Sequence, residues 1–280
     1  VVKKNKKDMV VQSNHLVEAA YQLSLGEKRL LLFCIAQIRR DSELTDQVMY
    51  TVHASDYAKR FNIKLNAAYE EMALAATKLE SESRVTIYRD IDGKPAKLKP
   101  RWVQTAGYLP REGKVALRFN HDVVPYLSQL QTEFTQYHLD DVSRMTSPNA
   151  IRLYELLVKW RNSGDMHTFE INTLKSLMGL DERYTLMSNF RRSVLDVCVA
   201  QINTHSPLFV SYELVKSGRS VSHLTFHYSD KLLEPLEVSD PKVPKPGKKT
   251  LTRDLIARKA LPGETWEQAE ARLKKALASV

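Results

Sequence analysis

The chain of 280 residues is 43% hydrophobic and sets 42 Lys and Arg against 33 Asp and Glu, a formal charge of +9. That size and apolar content support a substantial core divided between two domains, and the positive balance favours an anionic partner, because clustered Lys and Arg release counterions from phosphates. The longest apolar block, Leu30 to Ala36, is too short to span a bilayer, and no apolar segment follows Lys3, Lys4, Lys6 and Lys7 as a secretion signal requires.

With only Cys34 and Cys198, and no motif spacing between them, the expectation is a cytoplasmic protein with two buried thiols and no membrane partner. After a basic tail over 1–8, helical patterns cover Asn14 to Tyr21 and Gly26 to Arg40, the latter holding the dense run LLLFCIAQI. Leu16, Leu23 and Leu30 recur every seven residues, but Ser24-Leu25-Gly26 interrupts the helix, so they read as a core stripe rather than a zipper. Val48 to His53 alternates as a strand, and Ser55 then caps a helix that runs to Phe61 and breaks at Asn62-Ile63-Lys64. A second helix, LNAAYEEMALAATKLE, starts at about Leu65; the pair forms a helix-turn-helix packed by Ala58, Phe61, Ile63, Tyr69 and Met72. RVTIYR, a turn at Asp92-Gly93, the basic stretch KPAKLKPRWVQTAGYL and KVALRF follow, and this hairpin supplies a wing.

From about Thr135 the same plan runs again. Ser147-Pro148 starts a helix with Pro at its first position, His167 to Ile171 alternates as a strand, INTLKSLM is a helix, and Gly179-Leu180 is the turn. Ser188 to Ser206 then reads as a helix, because Phe190, Val194, Cys198 and Ile202 fall four apart and stack on one face. Arg192, Ser193, Asp196 and Asn203 share the opposite face, Ser188 or Asn189 caps the start, and Arg191 and Arg192 occupy the first turn, the end that enters a major groove. A two-stranded hairpin, LFVSYELVK-SGR-SVSHLTFHYS, follows as the wing. Beyond it, PKVPKPGKKT reads as an extended linker, and TRDLIARKA and ETWEQAEARLKKALA as two short helices. The expected fold class is therefore α+β: tandem winged-helix domains over 9–133 and 134–230, a linker over 231–250 and a short helical tail over 251–280.

The segments VQSNHLVEAAYQLSLGEKRLLLFCIAQI, LRFNHDVVPYLSQLQTEFTQY, SPNAIRLYELLVKWR, NFRRSVLDVCVAQIN and KSGRSVSHLTFHYS, taken in order, resemble the RepA-type replication initiators of iteron-containing bacterial plasmids over nearly the whole length. The resemblance implies that a monomer binds direct repeats at the plasmid origin through both domains, whereas a homodimer, formed through the first domain, represses its own promoter at an inverted repeat. It also implies the host initiator, the replicative helicase and chaperones as partners. Carried over by position, base readout falls on Asn189, Arg191 and Arg192, with Lys216 and Arg219 as wing contacts to backbone. In the first domain the candidates are Lys59, Lys64, Asn66 and Tyr69, by their place around the turn and second helix; Glu70 and Glu71 on that helix would repel phosphate if they faced it.

No catalytic chemistry, cofactor or metal is expected. The phosphate-cradling pattern G-x-x-x-x-G-K-[ST] is missing. His223 and His227 lie four apart on a strand without a third ligand, which favours wing packing over zinc. A rolling-circle nickase needs a tyrosine nucleophile and a His-hydrophobic-His pair; Tyr137 and Tyr154 are available for the first role, and the pair is missing. The tryptophans and scattered tyrosines read as core rather than as stacking platforms. The nearer alternative is a winged-helix transcriptional repressor with the same DNA chemistry and no initiator role.

Overall fold

The computed structural model describes residues 8–38, 44–127, 133–181, 183–218 and 220–231, together with 267, 268, 271 and 272. Two compact units divide the chain, Val1–Leu232 and Leu233–Val280. In the second, Glu267, Gln268, Ala271 and Arg272 are helical. Apart from Lys231, the rest of the expected linker and tail lies outside the described residues, as do Lys3, Lys4, Lys6, Lys7 and Arg219.

The amino-terminal half starts with β1 (Met9–Ser13), whose last residue caps α1 (Asn14–Val17) by accepting from the Leu16 amide. That helix lasts one turn instead of reaching Tyr21. Ala20 and Tyr21 are drawn into β2 (Ala20–Tyr21) by pairing with β4 (Val85–Ile91), and the Tyr21 ring stands edge-on to Trp102 at 5.0 Å. A Ser24–Glu27 capping box opens α2 (Leu25–Ile35), which ends short of the expected Arg40. Nine of its eleven residues are buried, so it is a central core rod rather than a one-faced surface helix. Leu16, Leu23 and Leu30 all lie in this core and so form no zipper face.

Next come β3 (Tyr50–His53), α3 (Ala54–Phe61) and α4 (Leu65–Ser81). Ser55 does not cap α3. The helix starts one residue earlier, after His53, and its first amide, Ala54 N, is satisfied by the Gly113 carbonyl at 2.8 Å. The turn between α3 and α4 rests on Asn62 in the left-handed region (φ 52°), a conformation that asparagine tolerates better than most residues. The remaining strands are β5 (Lys94–Leu98), β6 (Val103–Leu109) and β7 (Lys114–Phe119). They form two hairpins where one was expected: β6–β7 joins β3 in the order β3-β7-β6 and is the wing, while β4–β5 pairs with β2 as a separate ribbon. Asp92 and Gly93, both with positive φ, close the ribbon in the turn type that matches strand twist.

The second half contains β8 (Phe134–His138), α5 (Asp140–Ser143), α6 (Pro148–Trp160), β9 (Met166–Glu170) and α7 (Ile171–Leu177). Ser147 caps α6 with Pro148 at the first position, as expected. Ile171 opens α7 instead of closing the strand, because the Glu170 carboxylate accepts from the Thr173 amide at 2.7 Å and fixes the helix start there. A composite helix follows, α8 (Met187–Phe190), a π turn (Arg191–Leu195) and α9 (Asp196–His205), then β10 (Leu208–Ser217) and β11 (Ser220–Asp230), in the sheet order β10-β11-β9.

The two halves are sewn together. β1 pairs antiparallel with β8, Met9 opposite His138 through Ser13 opposite Phe134, a ladder that crosses the expected division at 133/134. Behind it the Glu155 carboxylate, fully buried, accepts from Lys28 Nζ (2.7 Å), Tyr137 Oη (2.7 Å), Gln12 Nε2 (3.1 Å) and Tyr21 Oη (3.2 Å). Arg152 stands 3.6 Å away, donating to Tyr21 Oη and to the Ala19 and Leu177 carbonyls. Burial alone would push the Glu155 carboxyl up, but the Lys28 and Arg152 charges and the donated hydrogen bonds outweigh it and hold it below the ordinary carboxylate value. Gly179 (φ 67°) presses its turn against the Tyr21 backbone so closely that a Cβ would lie 2.5 Å from the Tyr21 carbonyl oxygen.

Candidate nucleic-acid interface

In the second helix-turn-helix the turn from α7 is closed by amide bonds from Gly179 to the Ser176 carbonyl and from Leu180 to the Lys175 carbonyl. Lys175 is turned inward: Nζ donates to the Tyr184 carbonyl at 2.9 Å and lies 5.3 Å above the Phe190 ring, fixing the loop to the next helix. That helix begins at Met187 with Leu186 before it and no side-chain cap, so Ser188 and Asn189 sit inside its first turn rather than capping it. Arg191 and Arg192 accordingly open the second turn, not the first. There the Asp196 amide bonds the Arg191 carbonyl five residues back, the wide-turn geometry found often at functional positions. Phe190, Val194, Cys198 and Ile202 are buried as the spacing required, and Leu195 joins them across the wide turn. Burial pushes the Cys198 thiol up to about 12 and the Cys34 thiol higher still, so both are inert apolar fillers.

Asn189, Arg191 and Arg192 are exposed. Arg192 enters no ion pair among the described residues, whereas Arg191 Nε lies 3.8 Å from Asp196. Asp196 in turn accepts from Tyr212 Oη on β10 at 2.5 Å, and burial followed by that carboxylate pushes the Tyr212 phenol up to about 12. Asn203 does not share the exposed face: its amide donates to the Val210 carbonyl (2.8 Å) and accepts from the Val210 amide (2.7 Å). Two clips thus fix the helix against the wing, one at each end. Lys216 is exposed where the β10–β11 register shifts, just before the Gly218 turn (φ 62°).

The first reader is built differently. Lys59, Lys64 and Asn66 are exposed, but Tyr69 is half-buried beneath the wing turn, where a Cβ on Gly113 would meet its ring at 3.0 Å. Glu71 points inward, 3.2 Å from Arg29 and accepting from Tyr57 Oη at 2.6 Å, while Glu70 is exposed. The exposed stripe of α4, Asn66, Ala67, Glu70, Leu74, Thr77 and Ser81, carries no cation. Arg60 on α3 is committed to Asp8 and Asp140. Arg183 in the turn before the second recognition helix and Arg111 at the first wing tip are exposed as well, and the sequence reading named neither. Their signal was a cation within a polar break between periodic segments.

The residues weighed for enzymatic roles are occupied otherwise. Tyr137 and Tyr154 are buried; the first donates to Glu155 and the second to Asp141 at 3.2 Å, and burial together with those carboxylates raises both phenols well above their ordinary value. His223 Nδ1 is bonded to Ser222, and His227 Nε2 faces Glu213 at 3.9 Å. Among the described residues there is no cluster of three His, Cys, Asp or Glu able to hold a metal, and no helix long and apolar enough to cross a membrane.

Residues 9–158 match the family described as "Initiator Replication protein, WH1", and residues 170–228 match "Initiator Rep protein, WH2". The chain belongs to the initiator replication protein family. Its relatives include an uncharacterized 27.6 kDa protein of Escherichia coli, 32% identical over 77% of this chain and 93% of that protein. The PI protein of Escherichia coli is 24% identical over 80% of this chain and 83% of its own length, and a replication initiation protein of the same organism is 26% identical over 78% and 68%. Among solved structures, the Pi initiator protein in complex with iteron DNA superposes with a TM-score of 0.68 at 24% identity, covering 80% of this initiator and 98% of that chain. The tandem winged-helix fold of the initiator is thereby shared.

Proposed function

We propose that this initiator binds double-stranded DNA sequence-specifically at direct repeats of a plasmid origin, with the domain over 134–230 as principal reader and the domain over 9–133 as auxiliary backbone contact and dimerisation module. The observation that carries this reading is the asymmetry between the two helices. The second presents Asn189, Arg191 and Arg192 on a helix clipped to its wing, whereas the first presents a cation-free stripe that includes Glu70. An arginine fork donates two hydrogen bonds to guanine O6 and N7, and lysines such as Lys216, Lys59 and Lys64 hold the backbone without reading sequence. Arg219 belongs with Lys216 by its place in the wing.

Recognition by a helix in the major groove repeats about every 10.5 base pairs along one face, so two linked readers span roughly two turns, and linkage raises the effective concentration of the second. The initiator acts as a monomer on direct repeats, opens the origin and recruits the host initiator and replicative helicase; as a chaperone-dissociable homodimer it represses its own promoter at an inverted repeat. A footprint on DNA flanking the gene tests this. Protection of a direct-repeat array that also sustains plasmid replication is expected, while protection confined to one inverted repeat, with no replication function, makes the protein a repressor only.

A further inference from the structure

Arg191 and Asp196 lie five residues apart, and on a regular α-helix that spacing sets two side chains about 140° apart around the axis, on different faces. Side chains that meet on such a helix are three or four residues apart. The wide turn over Arg191–Leu195, in which the Asp196 amide bonds the Arg191 carbonyl, brings the pair onto one side, with Arg191 Nε 3.8 Å from the Asp196 carboxylate. A second contact aims that carboxylate. Tyr212 Oη, on β10, donates to Asp196 at 2.5 Å, and the Tyr212 ring is seated against buried Phe226 with 5.9 Å between centroids. One chain of contacts thus runs from the wing sheet through a carboxylate to a guanidinium on the exposed face of the recognition helix.

Stability does not account for this chain. The Arg191 and Asp196 side chains are 58% and 50% exposed, and exposed ion pairs add little to folding. What the chain fixes is direction. The approach to Asp196 is through Nε, so the two terminal nitrogens stay at the free end of the fork, the end that donates to guanine O6 and N7 in end-on readout. Arg192, next in sequence, enters no ion pair among the described residues and has no such restraint. An arginine held in its reading rotamer before the duplex arrives loses less side-chain freedom on binding. A carboxylate on a DNA-binding face repels every phosphate alike, so Asp196 sacrifices affinity for any duplex and favours selectivity. We propose that Asp196 and Tyr212 are positioning residues that hold Arg191 for base readout, an inference that rests on the duplex-reading function above.

The probe is a duplex library of about 20 random base pairs, two helical turns, from which the full chain selects a consensus. Single-base variants of that consensus and the unselected library are then titrated at one salt concentration with the parent chain, Arg191→Ala, Tyr212→Phe and Asp196→Ala. Arg191→Ala is expected to abolish the preference for guanine at one base pair. Tyr212→Phe, which keeps the ring against Phe226, and Asp196→Ala should each lower the preference at that same base pair about 2- to 10-fold and leave the other positions as they were. Asp196→Ala should also bind the unselected library more tightly, because a charge that repels phosphate is gone. Adding Tyr212→Phe to Arg191→Ala should change nothing further. Discrimination unaltered by Tyr212→Phe, a loss spread evenly over all positions and the library, or losses that add in the double variant would each overturn the proposal and leave the Tyr212 contact a plain clip of helix to wing. Selection of no consensus by the parent chain would overturn the duplex-reading function itself, and the proposal with it.

Discussion

Replacing Glu155 by Gln tests whether the buried ion cluster holds the two winged-helix domains together. Gln keeps the shape and one acceptor for Tyr137 and Gln12, but it removes the only carboxylate among the described residues that pairs with Lys28 Nζ (2.7 Å) and Arg152 (3.6 Å), both almost fully buried. Arg152 retains three other acceptors, so the loss falls mainly on Lys28, left with Tyr21 Oη alone. Breaking a buried pair by removing one partner costs about 3–5 kcal/mol, which for a body of this size is a fall of about 6–20 °C in Tm. Urea unfolding of Glu155→Gln, Lys28→Met and the Lys28→Met/Glu155→Gln double variant measures it. The double variant is expected to lose less than the sum of the two single losses, because it removes the orphaned Lys28 charge while the amide still accepts from Tyr137 and Gln12 and Arg152 keeps its three other acceptors. The acid limb gives a second readout. The folded carboxyl titrates below its unfolded value, so its stabilisation is complete above about pH 4.3 and disappears as pH falls through the lower folded value. Glu155→Gln should lack that part of the acid-induced drop. A loss under about 1 kcal/mol, or single losses that simply add in the double variant, would refute the reasoning.

Two further substitutions address the parts that aim the reader. Asn203→Ala leaves the Val210 amide and carbonyl without their clip; about 1–3 kcal/mol of stability is expected to go, with faster hydrogen exchange at Val210 than at Tyr228. Gly179→Ala adds a left-handed cost of about 1–2 kcal/mol to a 2.5 Å backbone clash with Tyr21, so thermal unfolding should show a loss above about 2 kcal/mol, together with a change in small-angle scattering as the domains part.

Local signals were legible where the cause is local. The four-residue spacing from Phe190 to Ile202, the asparagine turn at Asn62, the Asp92-Gly93 hairpin and the Ser147-Pro148 start each depend on a few neighbours, and each stands as read. What escaped depends on distant partners. α1 yields Tyr21 to a strand because Val85 lies opposite it, Ser55 loses the cap to the Gly113 carbonyl, and Asn203 turns toward Val210. Lys28 and Glu155, 127 positions apart, read as ordinary amphipathic-helix charges until the fold places them against each other. The recognition helix was found but its start was misplaced, since its first turn lacks a side-chain cap and its second is wide.

Titration of Arg192→Ala against a cognate repeat duplex and a random duplex at one salt concentration tests the duplex-reading account most directly. A loss of about 1–3 kcal/mol on the cognate repeat, with little change on random sequence and relaxed discrimination at one base, is the expected result. Equal weakening on both duplexes would contradict it, reducing the exposed arginine pair to a counterion for any phosphate.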